Sequence, residues 1–120
     1  MIEAVRVYDS PRPNTGAKKS SRFLVERLWP RGMKKETLQI DDWLKDVAPS
    51  NALRRWYAHK IERWPEFRRR YLAELRANPA ACQPLLEAAR RGDVTLLYSA
   101  RDTKHNSAIL LREFLLSKLK

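Results

Sequence analysis

Between Ser99 and Asn106 the chain reads SARDTKHN, the stretch most loaded with groups that handle charge or a proton. Arg101 and Lys104 are cations and His105 carries an imidazole, a side chain able to take up or release a proton. Ser99, Asp102 and Asn106 supply short polar groups that bond to backbone or to a ligand. Asp102 or Thr103 suits the N-cap of a following helix. A helix start presents unpaired N–H groups and about half a positive charge. Two cations and an imidazole gathered around that end repel one another, and a bound anion relieves the repulsion. The competing reading is that Asp102 neutralises the helix end as its cap while Arg101 and Lys104 stay in solvent.

A second charged stretch, RLWPRGMKK, runs from Arg27 to Lys35. Pro30 fixes one backbone angle and biases Trp29 toward extended geometry, while Gly32 permits a sharp reversal, so the loop can be rigid without being regular. Such a loop can aim Arg27 or Arg31 at a phosphate or carboxylate through paired N–H donors, with Lys34 and Lys35 as looser point charges. The structural alternative has Trp29 plugging the core and Arg27 paired with a carboxylate such as Asp9 or Glu26.

Other groups point elsewhere. His59 falls at a helix end, where the dipole favours a positive imidazole, and reads as a cap. Arg68, Arg69 and Arg70, with Arg54, Arg55, Lys60 and Arg63, set seven cations against Glu62 and Glu66. That face is either solvated or laid along a nucleic-acid backbone. Cys82 lies on an apolar helix face and belongs to the core. With one Cys and two His, no metal-ligand spacing is present, and neither a metal nor a cofactor is expected. A P-loop, a G-x-G-x-x-G, a zinc finger and an RNA-recognition aromatic motif are all absent.

These residues need elements to hold them. At 120 residues the chain is expected to form a single domain over 1–120. Its composition, 43% hydrophobic and 32% charged, is that of a folded protein. No apolar run is long enough to span a bilayer, and Glu3 and Arg6 break the N-terminal apolar stretch that a secretory signal needs, so the expectation is a cytoplasmic protein with no membrane partner. A formal charge of +11 concentrates anions without selecting one.

Alternation and β-branching predict a strand over Ile2–Tyr8, a loop through SPRPNTGAKKSS, and a strand from Arg22 to about Arg27 that fits beside the first. Trp29 to Pro49 reads as irregular with one short element. Ser50 suits the N-cap of a helix over Asn51–His59. Pro65 suits the first turn of a helix from Trp64 to Ala77, with Trp64, Phe67, Tyr71 and Leu75 on one face. A third helix follows Asn78, with Pro84 in its first turn and Gly92 at its close. VTLLYSA then reads as a strand covered on both faces, and a helix from about Asp102 runs to the C-terminus. Helix, buried strand, helix predicts a small α/β domain: a mainly parallel sheet of three or four strands packed with about four helices.

In such sheets ligands bind beyond the carboxyl ends of strands. That rule brings the two charged loops together and predicts a site for a small phosphorylated or carboxylated ligand, nucleotides included. Arg27, Trp29, Arg31, Lys35, Ser99, Arg101, Asp102 and Asn106 are its candidate binding residues. Were a reaction to follow, His105 would move the proton, with Asp9 opposite. The alternative is a nucleic-acid-binding module using Arg54, Arg55, Arg68, Arg69 and Arg70. Oligomeric state is not legible.

The segments FLVERLWPRGMKKE, DDWLKDVAPSNALRRWYAHK, WPEFRRRYLAEL and VTLLYSARDTKHNSAILLREFL occur in the order in which the YeaO-like family of bacterial proteins shows similar ones, and the chain resembles that family over almost its whole length. The resemblance implies a single α/β domain and no assigned function. It implies a shared surface that includes Arg27, Trp29, Pro30, Arg31, Gly32 and Lys35, then Trp43, Lys45, Pro49, Ser50, Leu53, Arg54 and His59, and finally Asp102, His105 and Asn106. Members are sometimes labelled transcription regulators. This sequence has Ser20-Ser21 where the family has Asp-Gly, Glu26 where Asp is usual, and Lys60 where an acid is common.

Overall fold

The computed structural model describes residues 1–9 and 20–120, so most of the loop expected before the second strand lies outside the described residues. Strands β1 (Ile2–Arg6), β2 (Ser21–Leu24), β3 (Asp42–Trp43) and β4 (Val94–Tyr98) form one sheet in the order β1-β4-β2-β3. Every neighbouring pair is parallel. Helices α1 (Lys35–Leu38), α2 (Asn51–Tyr57), α3 (Trp64–Ala77), α4 (Pro79–Arg91) and α5 (Ser107–Lys118) pack on it. This is the small α/β architecture expected, with one helix more among the described residues because α1 is a single turn inside the segment read as irregular.

β4 takes the centre, and all five of its residues are buried. Its unbroken apolar run answers to that place, since both of its edges are paired and both of its faces covered. β1 and β2 are therefore not neighbours. Ile2 and Ser21 flank Val94 from opposite sides.

Alternation along the strands separates two cores. Phe23 and Leu96 face the larger, built with Phe67, Tyr71, Leu85, Leu111 and Leu115 from the long helices. Leu24 and Leu97 face the smaller, with Val7, Leu38 and the half-buried Trp29, Met33 and Trp43. The chain leaving β2 thus covers one face of the sheet and the chain leaving β4 enters a helix on the other. Between two such diverging connections a crevice opens.

Several boundaries shift for local reasons. β2 ends at Leu24, short of Arg27, because after the Val25 N–H reaches the Leu97 carbonyl at 3.2 Å the next backbone donor on β4's side, Ser99 N–H, goes to the Glu26 carboxylate instead. β1 gives way after Arg6 to a 3₁₀ turn over Val7–Asp9. α2 stops at Tyr57 because Ala58 and His59 both take left-handed backbone angles, with φ of 48° and 56°. Pro84 lies in the second turn of α4, since that helix begins at Pro79. It is tolerated there because Pro84 and Ala80 sit on the exposed side, where water meets the carbonyl left without a donor. α5 begins at Ser107, several residues later than expected.

Candidate functional site

Beyond the carboxyl ends of β2 and β4 lies a cavity of about 640 Å³. Glu26 follows β2 and Ser99 follows β4, so the two adjacent parallel strands deliver them side by side. Buried Tyr57 and Phe67 form its aromatic wall, their rings stacked with centroids 4.4 Å apart. The exposed side chains of Arg54, Arg55 and His59 border it from α2 and the turn after it, and Arg101 does so from the loop after β4.

Glu26 and Asp102 are the half-buried carboxylates of this cavity. Glu26 Oε1 accepts the Ser99 N–H at 2.8 Å and the Ser99 hydroxyl at 3.2 Å. Its Oε2 accepts nothing from the described residues. Burial pushes this carboxyl above its usual range, opposed by the two Ser99 bonds and by the charges of Arg54 and His59. The indole of Trp43 donates to the Glu26 backbone carbonyl at 2.6 Å, so the residue is fixed at both ends.

The loop SARDTKHN is organised by Asp102. Its Oδ1 accepts the N–H groups of Lys104 and His105 at 2.8 and 2.9 Å, and its Oδ2 lies 3.0 Å from His105 Nδ1. The Lys104 N–H is the largest influence holding the Asp102 carboxyl below its usual range, and the two His105 contacts add to it. The His105 ring is also seated edge-on against Trp64, with centroids 5.2 Å apart. Asp102 therefore closes a turn ahead of α5 and does not cap it. The cap is Asn106, whose Oδ1 accepts the Ile109 N–H at 3.0 Å while its Nδ2 donates to the Asp102 carbonyl at 3.0 Å. Asn106 holds the helix start in place, and Asn106 and Ser107 bring that start to the cavity.

A strap of irregular backbone, Val47 to Ser50, carries the chain into α2, and its polar groups are met by side chains. Tyr71 donates its hydroxyl to the Val47 carbonyl at 2.5 Å. Arg27 donates Nη2–H to Ala48 O at 3.3 Å and Nε–H to Pro49 O at 2.8 Å. The Ser50 N–H and hydroxyl go to the two oxygens of Glu74 at 2.9 and 2.6 Å. Ser50 Oγ in turn accepts the Leu53 N–H at 3.2 Å, the N-cap expected. Val47, Ala48 and Pro49 are buried, so each carbonyl needs such a partner. This strap aims α2, and with it Arg54 and Arg55, at the cavity.

Of the expected site residues, Ser99, Arg101, Asp102, His105 and Asn106 come together here, and the residues from the first charged loop do not. Arg27 is engaged on the strap. It pairs with neither Asp9 nor Glu26. Trp29 donates its indole N–H to Met33 O at 2.6 Å and packs edge-on to Trp43 in the smaller core. Arg31 is exposed, and its carbonyl accepts the Tyr8 hydroxyl at 2.7 Å. Lys35 opens α1 with its side chain in solvent. Asp9 lies 3.7 Å from Arg6, outside the cavity, so Asp102 and not Asp9 is the carboxylate on His105. Glu26, His59, Tyr57 and Phe67 line the cavity although sequence reasoning gave them no such place.

The arginines divide into two sets. Arg68 pairs with Glu113, while Arg69 and Arg70 share Glu66 at 2.6 and 2.7 Å, which holds that carboxyl down at about 2. Arg70 also lies over the Trp56 ring at 4.4 Å. Among the described residues, Arg54, Arg55 and Arg101 make no ion pair. Nor do any three His, Cys, Asp or Glu side chains gather there as metal ligands.

Residues 1–120 match the model of a protein family described as "Inactive DUF488-N3 subclade". The chain belongs to that family. The uncharacterised protein YeaO of Escherichia coli is 40% identical over 97% of both chains. Uncharacterised proteins of Mycobacterium tuberculosis and Mycobacterium bovis are each 38% identical over 95% of this chain and 92% of theirs. No solved structure matches. The YeaO-like resemblance carried by the charged motifs therefore holds across this DUF488-N3 domain, and so does its lack of an assigned function. No helix of the described residues is long and apolar enough to cross a membrane.

Proposed function

We propose that this protein binds a small phosphorylated or carboxylated ligand in the cavity at the ends of β2 and β4. The observation that carries the reading is charge placement: Arg55 and Arg101, on separate segments of the chain, border one cavity and lack a carboxylate partner among the described residues. Guanidinium groups left without a partner at a concave site match the geometry of phosphate and carboxylate. The start of α5 adds its partial positive charge on the same side. About 640 Å³ is the volume of an ordinary small-molecule site.

The family description, with its word "inactive", supports binding without turnover. His105 is then a positioning residue: its Nδ1–H goes to Asp102 and its ring packs edge-on against Trp64, which holds the turn ahead of α5. A nucleic-acid interface on α3 has less support, since Arg68, Arg69 and Arg70 are each already paired, the first with Glu113 and the other two with a shared Glu66.

A thermal-shift and calorimetric series with inorganic phosphate, sugar phosphates, nucleotides, dicarboxylates and short DNA and RNA tests the reading, because a ligand that binds only the folded state raises its stability. A small anion stabilises the wild type, and Arg55→Ala and Arg101→Ala each weaken it about tenfold, or ~1.4 kcal/mol. The reading is overturned if no small anion binds, or if both variants bind as the wild type does. Oligonucleotide binding lost on Arg68→Glu and Arg69→Glu transfers the function to α3.

A further inference from the structure

We infer that the ligand is a phosphorylated polyol, a sugar phosphate or a nucleoside phosphate, whose hydroxyl groups are read by Glu26. The inference rests on the anion site proposed above and adds what lies beyond the anion. A bare oxyanion accounts for the arginines but leaves most of about 640 Å³ unfilled. The remaining lining is of a different kind. Glu26 offers Oε2, an oxygen with no partner among the described residues, while Ser99 holds Oε1 and so fixes where Oε2 points. A carboxylate is an acceptor, and an anion placed against it is repelled, so the part of the ligand that meets Glu26 must carry O–H or N–H donors.

The cavity is thus divided. Exposed Arg55 and Arg101 suit the phosphate, half-buried Glu26 suits hydroxyls, and Arg54 lies near enough to Glu26 for its charge to act there. Tyr57 and Phe67 provide the apolar face that the C–H side of a sugar or the plane of a base packs on. A phosphate with a neighbouring diol has all three complements in one small molecule. Carboxylate recognition of ribose hydroxyls beside a helix-start phosphate site is an established physical solution on unrelated α/β sheets.

Isothermal titration at fixed ionic strength with sodium phosphate, propyl phosphate, ribose 5-phosphate and adenosine 5′-monophosphate tests this. Ribose 5-phosphate, the nucleotide or both are expected to bind at least tenfold more tightly than the two hydroxyl-free anions. Glu26→Ala should erase that margin without weakening phosphate binding, since it takes a negative charge out of the cavity. Glu26→Gln keeps an acceptor for Ser99 and so keeps the fold. It should shrink the margin about fivefold or more, because with its single oxygen held by Ser99 the amide places an NH2 donor where Oε2 accepted. A nucleotide bound more tightly than the sugar phosphate places a base on the aromatic wall, and equal binding places only the sugar there. If phosphate binds but the polyol margin is missing, or survives in both variants, the Glu26 inference is wrong and the anion site stands. If none of the four binds, the Glu26 inference falls together with the phosphate reading of the site, and only the carboxylates of the wider series are left to it. Should Glu26→Ala not fold, Glu26→Gln decides.

Discussion

Replacing Arg27 by Ala separates a structural arginine from a ligand clamp. The guanidinium makes two charge-assisted bonds, to Pro49 O at 2.8 Å and to Ala48 O at 3.3 Å. Ala48 and Pro49 are buried, so truncation leaves two carbonyls without a donor in a place that water reaches poorly. A hydrogen bond to a charged group contributes about 1.5–3 kcal/mol, and the longer of the two belongs at the low end, so the loss is about 3 kcal/mol. For a chain of this size that lowers the melting temperature by about 10–15 °C. Arg27→Lys keeps the charge but places a single ammonium where a fork was, reaches one carbonyl, and should recover about half of the loss. Melting curves by circular dichroism give the stability, and calorimetry well below the transition gives phosphate affinity. The expected result is a large stability loss with affinity changed less than threefold in the protein that remains folded. An Arg27→Ala protein that melts within about 2 °C of wild type yet no longer binds the anion refutes the strap argument and returns Arg27 to the ligand.

Two further outcomes follow from the same geometry. Ser50→Ala removes the cap on Leu53 N–H and the hydroxyl bond to Glu74, and should destabilise the domain by about 1–2 kcal/mol in a urea midpoint measurement; Ser50→Thr should retain most of that stability, and equal losses in both would show that the hydroxyl is not the cause. Stability against pH should carry two opposed contributions, read by melting temperature from pH 2 to 8. Glu66, held at about 2 against an ordinary 4.5, contributes stability that is present above 4.5 and lost as pH falls toward 2. Glu26, pushed above 4.5 by burial, does the reverse: the folded state keeps its proton longer, so stability declines as pH rises from 4.5 through its folded value. Glu26→Gln should flatten that upper decline and leave the acid limb alone, and profiles that run parallel above pH 4.5 would show that Glu26 is not buried enough to matter.

Elements whose cause is local were legible in the sequence. α3 falls where Pro65 and the spacing of Trp64, Phe67, Tyr71 and Leu75 put it, because first-turn proline and a repeating apolar face act within the helix itself. β4 announces its central place by being apolar at nearly every position, and Ser50 caps as its type and position suggest. Strand order was not legible, since nothing in β1 or β2 records that β4, far along the chain, will insert between them. The start of α5 was misplaced because Asp102 and Asn106 are both good caps. Only the fold shows that the first closes a turn on His105 while the second meets Ile109.

The arginines show where such reading ends for the site. A run such as Arg68, Arg69 and Arg70 looks like concentrated charge, but residues three or four apart on a helix are neighbours, and Glu66 sits at that spacing from Arg69 and Arg70. Arg68 is met by Glu113 from α5, which no local rule supplies. Arg55 and Arg101 stand out in sequence only as members of two separate charged stretches, which no local rule joins. The strap over Val47–Ser50 turns α2 toward the end of β4, and that brings them to one cavity. Adjacency in the chain therefore does not decide the outcome: the run Arg68 to Arg70 is paired, while adjacent Arg54 and Arg55 make no ion pair among the described residues. In this protein the consequence is that the residues fastening the strap, Arg27, Tyr71 and Glu74, determine whether the cavity cations converge while none of the three touches what they would hold.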